Sequence, residues 1–283
     1  MRVRAASLVG IVLGVALGAA LEHRTDSSVT RLSFLAVGQG DCIVFQHHGK
    51  TVLIDAASKV DAFDAGERLA SPELYRLGVK QLDLVLLSHP DADHVGGLPS
   101  LARRFPIGCA VVPARFRDHA EMRGWLEKAR IPESRIVWLE GVGRVTIGDF
   151  ELVFTGPNDR RFPEDNDGSM FVRLTGPGTS AVFTGDASSE VEGEMLKASM
   201  EWRAQILKAG HHGSRFSTGD PWLEAVSPTV AIVSCGRTNT YGHPAPDLLE
   251  RLNRRGITVY RTDRQGTISF ELSASGPRLI PSR

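Results

Sequence analysis

The stretch SHPDADHV (88–95) limits the folds open to this chain more than any other feature. It follows LDLVLL (82–87), an apolar run of strand length, so it begins a loop at the end of a buried strand. His89, Asp91, Asp93 and His94 crowd four metal-binding or proton-carrying side chains into six positions. One loop does not complete a metal site, so the fold must gather other strand ends around this one.

Three further stretches share that address. FTGD (183–186) puts Asp186 just after the strand SAVF, KAGHHGS (208–214) puts His211 and His212 just after AQILK, and TNTYGHP (238–244) puts His243 beyond TVAIVSCG. Each turns on glycine, where backbone can approach a ligand closely. Imidazole nitrogen and carboxylate oxygen suit Zn, Mn or Fe, and a carboxylate such as Asp186 can bridge two ions. Two divalent metal ions sharing a water would lower its pKa and clamp the attacking and leaving oxygens of a displacement, which points to hydrolysis. A calcium loop starting at Asp91 fails on spacing, because position 102 is Ala102 where a glutamate is needed. The chain has no HExxH, GxSxG or P-loop pattern.

Strand patterns come first along the chain: RLSFLAV (31–37), DCIVFQ (41–46) and TVLID (51–55), separated by the turns GQG and HHGK. An alternation then begins, with helices around 66–77, 97–105 and 117–130 between strands at 82–87, 109–113 and 135–139. Strands near 143–147, 150–154, 169–174 and 180–184 follow, then a helix near 188–199 and strand 204–208. Helices near 221–226 and 246–255 and strands 229–234, 257–260 and 266–270 close the chain. Strand-rich and mixed stretches in both halves predict two facing sheets with helices outside, an α/β sandwich forming one domain over 30–283.

Residues 1–24 differ from the rest. Arg2 and Arg4 precede the apolar stretch AASLVGIVLGVALGAAL (5–21), the plan of a signal peptide or a membrane anchor. The expected location is therefore outside the cytoplasm: extracellular, periplasmic or held on the outer face of the cytoplasmic membrane through residues 5–21. Lys plus Arg and Asp plus Glu both number 33, so no global field draws the protein to nucleic acid, and a polyanionic substrate needs a local basic groove. Cys42, Cys109 and Cys235 lie far apart without CxxC pairs and read as small core residues.

His89-x-Asp91-x-Asp93-His94, with Asp186 and the later histidines, resembles the metallo-β-lactamase fold superfamily, which implies a four-layer αββα sandwich with a dinuclear site at the edge of its sheets. More narrowly, VGQGD (37–41), SHPDADHVGGL (88–98), FTGD (183–186), LKAGHHGS (207–214) and NTYGHP (239–244) resemble the metallo-β-lactamase domain of ComEC competence proteins. That resemblance implies metal ligation by His89 and Asp91 at one ion and by Asp93, His94 and His243 at the other, with Asp186 between them. His211 is then a ligand, or it and His212 hand a proton to the leaving group. Asp41 is expected beneath the metal loop, orienting a histidine. Two departures from the wider superfamily stand out: Asp91 replaces a histidine, and EDNDGSMFVRL (164–174) stands where a further histidine is common. The carboxylate makes Mn or Mg more plausible relative to Zn and argues against lactam hydrolysis. In the middle stretch Asn166 and Ser169 match an NxxS pattern and are expected at water or phosphate, although an ordinary turn explains them as well.

The resulting expectation is a phosphodiesterase or nuclease acting on DNA. Lys208, Ser214, Arg215 and Arg237 would lie near the substrate, and the pairs Arg103–Arg104, Arg160–Arg161 and Arg254–Arg255 would extend a groove. No aromatic ladder for single strands is visible in the sequence. The alternatives are a phosphodiesterase on smaller esters, such as phosphocholine groups of a cell-wall polymer, and a non-catalytic DNA-binding relative. No protein partner can be inferred.

Overall fold

The computed structural model describes residues 30–157 and 161–281. The segment expected to serve as signal or anchor lies outside them. Among the described residues no helix is long and apolar enough to cross a membrane.

Two large sheets face each other. In spatial order the first runs Gly276–Ile280, Ile268–Ser273, Arg31–Phe34, Ile43–His47, Lys50–Ile54, Leu82–Leu86, Ile107–Pro113 and Ile136–Leu139. The second runs Thr258–Arg261, Val230–Val233, Ile206–Lys208, Thr179–Phe183, Phe171–Gly176, Phe150–Thr155 and Val142–Ile147. Each joins an antiparallel meander to a set of parallel strands. The change comes at Lys50–Ile54, which pairs parallel with Leu82–Leu86, and at Thr179–Phe183, which pairs parallel with Ile206–Lys208.

Side chains alternate across these strands because successive Cβ atoms point to opposite faces. Leu32, Phe34, Phe45, Ile54, Leu84, Phe154 and Phe183 fill the space between the sheets. Val44, Leu53 and Val85 point outward from the first sheet onto Leu74, Leu98 and Leu101 of its helices. Val182, Leu207 and Val233 do the same in the second sheet, against Val191, Leu223 and Leu248. The order helix, sheet, sheet, helix is thus the four-layer αββα sandwich that the resemblance implied.

The helices Leu98–Arg104, Ala120–Lys128, Ser189–Met195, Asp220–Val226 and Pro246–Arg254 fall where periodicity placed them. The predicted helix at 66–77 is split into a π turn, Gly66–Ala70, and an α-helix, Ser71–Arg76. The sequence reading omitted Gly276–Ile280, a half-exposed edge strand whose Pro277 lacks an N–H to donate.

Candidate metal centre

In open α/β sheets, ligands gather outside the carboxyl ends of the strands where the connection pattern changes. Here that place holds Asp55 after Lys50–Ile54, SHPDADHV after Leu82–Leu86, Asp186 after Thr179–Phe183, and the HHGS loop after Ile206–Lys208. The four stretches meet in the structure. Gly40 helps them close: at φ +129 its Cα lies so near the Asp93 carbonyl that a Cβ would stand 2.3 Å from the oxygen, and the next amide, of Asp41, donates to that carbonyl at 3.2 Å.

At the centre, Asp186 offers one oxygen to each of two imidazoles. Its Oδ1 is 3.2 Å from His94 Nε2 and its Oδ2 is 3.2 Å from His212 Nε2. The two Nε2 atoms are themselves 3.2 Å apart, and Asp93 Oδ2 is 3.1 Å from His212 Nε2. His89 packs its ring 4.2 Å from that of His94, with Asp91 Oδ2 3.9 Å from its Nε2. His211 lies at the rim, one third exposed, 3.7 Å from Asp186, and His243 stands beyond it with ring centres 5.7 Å apart.

Hydrogen bonding on the far side of each buried ring sets its tautomer. His94 Nδ1–H donates to Asp55 Oδ2 at 2.7 Å, and His212 Nδ1–H donates to the Ser234 carbonyl at 3.1 Å. The Ser88 hydroxyl gives its proton to Asp55 Oδ2, so its oxygen accepts from His89 Nδ1–H at 2.9 Å. Every Nε2 is therefore turned inward. His89 Nε2 is buried with no hydrogen-bond partner.

Electrostatics follows from this crowding. Burial opposes charge on Asp186, yet His212 and His94 outweigh it and hold its carboxyl well below the usual range. Burial also opposes charge on the two imidazoles, but Asp186 and Asp55 raise His94 well above its ordinary value, and Asp186 lifts His212 to about 9. Burial and the charge of His94 lower His89. Burial and Asp93 lift Asp91 to about 6. Such a field attracts positive charge, and a cation bound at the Nε2 atoms would displace their protons. The inward nitrogens, the paired carboxylate oxygens and the orphaned His89 Nε2 fit a divalent metal with N and O ligands.

Several expectations change. Asp41 does not orient a histidine by hydrogen bonding: its oxygens are 3.9 and 3.8 Å from the Nδ1 atoms of His94 and His212. It completes a compact group with His94, Asp186 and His212, but its charge is engaged by Lys208. Asp55 does the orienting, and the sequence reading missed it; an acid closing the apolar strand TVLID was the available signal. Lys208 does not reach substrate, because it is fully buried and ion-paired beneath the site. Ser169 serves the protein rather than a phosphate: its buried Oγ accepts the Asp186 amide at 3.0 Å and sits 3.3 Å from His89 Nδ1. Asn166 opens the 3-10 turn Asn166–Gly168, its carbonyl accepting from the Ser169 amide. Ser214 is buried, and its Oγ accepts the Phe216 amide at 3.2 Å. Of the two loop histidines, His212 holds the central place and His211 the exposed one.

The Metallo-beta-lactamase superfamily model matches residues 35–237. Among curated proteins, ComE operon protein 3 of Bacillus subtilis is 31% identical over 257 residues, which make up 86% of this chain and 33% of that protein. Competence protein ComA of Neisseria gonorrhoeae is 34% identical over 234 residues, 81% of this chain and 31% of that protein. The chain thus spans about a third of the length of these relatives. Among solved structures, the metallo-beta-lactamase fold protein YhfI from Bacillus subtilis matches with TM-score 0.57 and 12% identity, covering 85% of this chain and 99% of that one. Matched by the superfamily model over residues 35–237, through the loops that carry Asp55, His89, His94, Asp186 and His212, the chain belongs to the metallo-β-lactamase superfamily.

Proposed function

We propose that the chain is a metal-dependent phosphodiesterase acting on nucleic acid, DNA in particular, through two divalent ions, Zn or Mn with Mg as a third choice. The observation that carries this reading is the Asp186 carboxylate, with one oxygen toward each of two imidazoles in a pocket of inward Nε2 atoms. His89 and Asp91 would hold one ion and Asp93, His94 and His212 the other, with Asp186 between. When bound, such ions supply an acidified water and charge stabilisation at a phosphate. The chain's own residues do the rest. Asp55, Ser88 and the Ser234 carbonyl fix the imidazoles, and His211 stands at the rim, one third exposed. Burial lowers the pKa of His211 from its ordinary value, which favours the neutral ring.

Two exposed aromatics support a nucleic acid substrate. Phe216 and Tyr241 are each 70% exposed and follow the HHGS and precede the GHP loops that carry His211 and His243. Their backbones are not loose. Phe216 O accepts from Ser189 N at 2.7 Å, and the two loops are joined where Ala245 N donates to Gly213 O at 2.8 Å. Arg215 lies over the Phe216 ring at 5.6 Å. Exposed rings beside the candidate centre suit unstacked bases. The similarity to Competence protein ComA of Neisseria gonorrhoeae and to Recombination protein 2 of Haemophilus influenzae points the same way. Of the arginine pairs expected to extend a groove, Arg160 lies outside the described residues, and four of the others face carboxylates. Arg103 and Arg104 converge on Glu67, Arg161 pairs with Glu194 and Arg255 with Asp220.

The test incubates the purified chain with single-stranded DNA, double-stranded DNA and bis-p-nitrophenyl phosphate, adding Mn, Mg or Zn separately, beside Asp93→Ala. Metal-dependent DNA cleavage by the parent chain alone is the expected result. Turnover of only the small ester would move the substrate to smaller phosphodiesters, and equal activity in Asp93→Ala would overturn the metal mechanism.

A further inference from the structure

The opposite ends of the two sheets carry a second imidazole and carboxylate cluster. His47 ends the strand Ile43–His47, His48 and Gly49 make the turn into Lys50–Ile54, and Asp149 lies in the turn between Val142–Ile147 and Phe150–Thr155. The strand Lys50–Ile54 separates this cluster from Asp55, a span of roughly 17 Å for five extended residues.

Its geometry is that of ligands turned to one point. His47 Nε2 is 2.9 Å from Asp149 Oδ1, the His47 and His48 rings are 4.1 Å apart and nearly perpendicular, and one ligand atom from each of the three lies within 4.8 Å of the others. His47 is buried, and its Nδ1 is held 2.7 Å from Thr30 Oγ1, which leaves Nε2 to face Asp149. A hydrogen bond on the far nitrogen is the usual means of fixing a metal-binding imidazole. Space for the rings is kept by Gly148. At φ +58 its added Cβ would stand 2.6 Å from His47 Nε2 and 2.7 Å from His48 Cδ2. The nearby cation Lys50 is occupied by Asp83 at 3.2 Å.

We propose that His47, His48 and Asp149 form a separate binding site for a borderline divalent cation, Zn2+, Ni2+ or Cu2+, which fastens the first sheet to the second. Two imidazoles and a carboxylate, with water completing the shell, are a donor set these ions favour. The histidines belong to a hairpin of the first sheet and Asp149 to a hairpin of the second. The bound ion therefore acts as a cross-link between the two layers at this end of the sandwich, and its role is stability rather than catalysis.

The experiment counts ions bound per full-length chain by equilibrium dialysis with Zn2+ and follows melting with and without it. It compares the parent chain with His48→Asn, which tolerates the left-handed backbone at that position, and with the exposed Asp149→Asn. Both variants should bind one ion fewer. Each should also lose the roughly 5 °C that this site adds to the Zn2+-dependent rise in Tm, with unchanged melting in chelator and unchanged hydrolysis of bis-p-nitrophenyl phosphate. Asp186→Asn should lose ions at the first centre yet keep that rise. Equal ion counts and equal Tm rises in the parent, His48→Asn and Asp149→Asn would overturn the proposal.

Discussion

Asp55 Oδ2 stands 2.7 Å from His94 Nδ1, and Asp55 adopts the left-handed backbone, φ 58, to reach it. A non-glycine residue in that region costs about 1–3 kcal/mol, offset here by hydrogen bonds from the Ser88 amide and hydroxyl at 2.8 Å each. Asp55→Asn keeps the shape and removes the charge that makes His94 a strong ligand. Metal affinity should fall about 10–100-fold, measured by chelator competition, with little change in melting temperature in chelator.

Asp186 is the shared carboxylate of the centre. Asp186→Asn should lower metal-dependent phosphodiester hydrolysis about a thousandfold, the equivalent of roughly 4 kcal/mol of barrier. Steady-state turnover of bis-p-nitrophenyl phosphate measures it, and activity within tenfold of the parent would refute the assignment.

Lys208 and Asp41 form a buried ion pair below the centre. Lys208→Met leaves Asp41 buried without its counter-charge and should cost about 3–5 kcal/mol in urea unfolding, whereas Lys208→Met with Asp41→Leu should recover much of that loss. A Lys208 that served substrate instead would show normal stability and a raised KM.

Glu192 holds the loop that follows His212, accepting the Thr218 and Gly219 amides at 2.7 and 2.8 Å. Burial outweighs those bonds and raises its carboxyl from 4.5 to about 8. The neutral form is thus favoured by folding, so its contribution is complete below pH 4.5 and is lost as pH rises through about 8. The unfolding free energy of the parent minus that of Glu192→Gln should fall across this window. A flat difference would show that Glu192 is ionised throughout.

Phe216 and Tyr241 expose their rings at the rim, Phe216 beneath Arg215 and Tyr241 stacked on His243 at 5.7 Å. Phe216→Ala with Tyr241→Ala should weaken single-stranded DNA by about 1–3 kcal/mol per stacked base, read as a raised KM, while leaving the small ester unaffected. Equal losses on both substrates would place the rings in the loop architecture instead.

The inventory of the centre was legible in the sequence because it is local. An apolar run followed by His, Asp and Gly identifies a strand terminus with ligands, and period-two patterning identifies the sheets that bring such termini together. What the sequence did not determine was which partner each side chain meets. Asp55 and His94 are 39 positions apart and His94 and His212 are 118 apart. Tertiary structure gave Asp55 the orienting role expected of Asp41, put His212 rather than His211 at the centre, and buried Lys208. It also paired Arg103, Arg104, Arg161 and Arg255 with carboxylates and set two exposed aromatics beside the site. In each case the reason is the same: charge, burial and hydrogen bonding depend on neighbours in space, and only the packing of the two sheets brings those neighbours together.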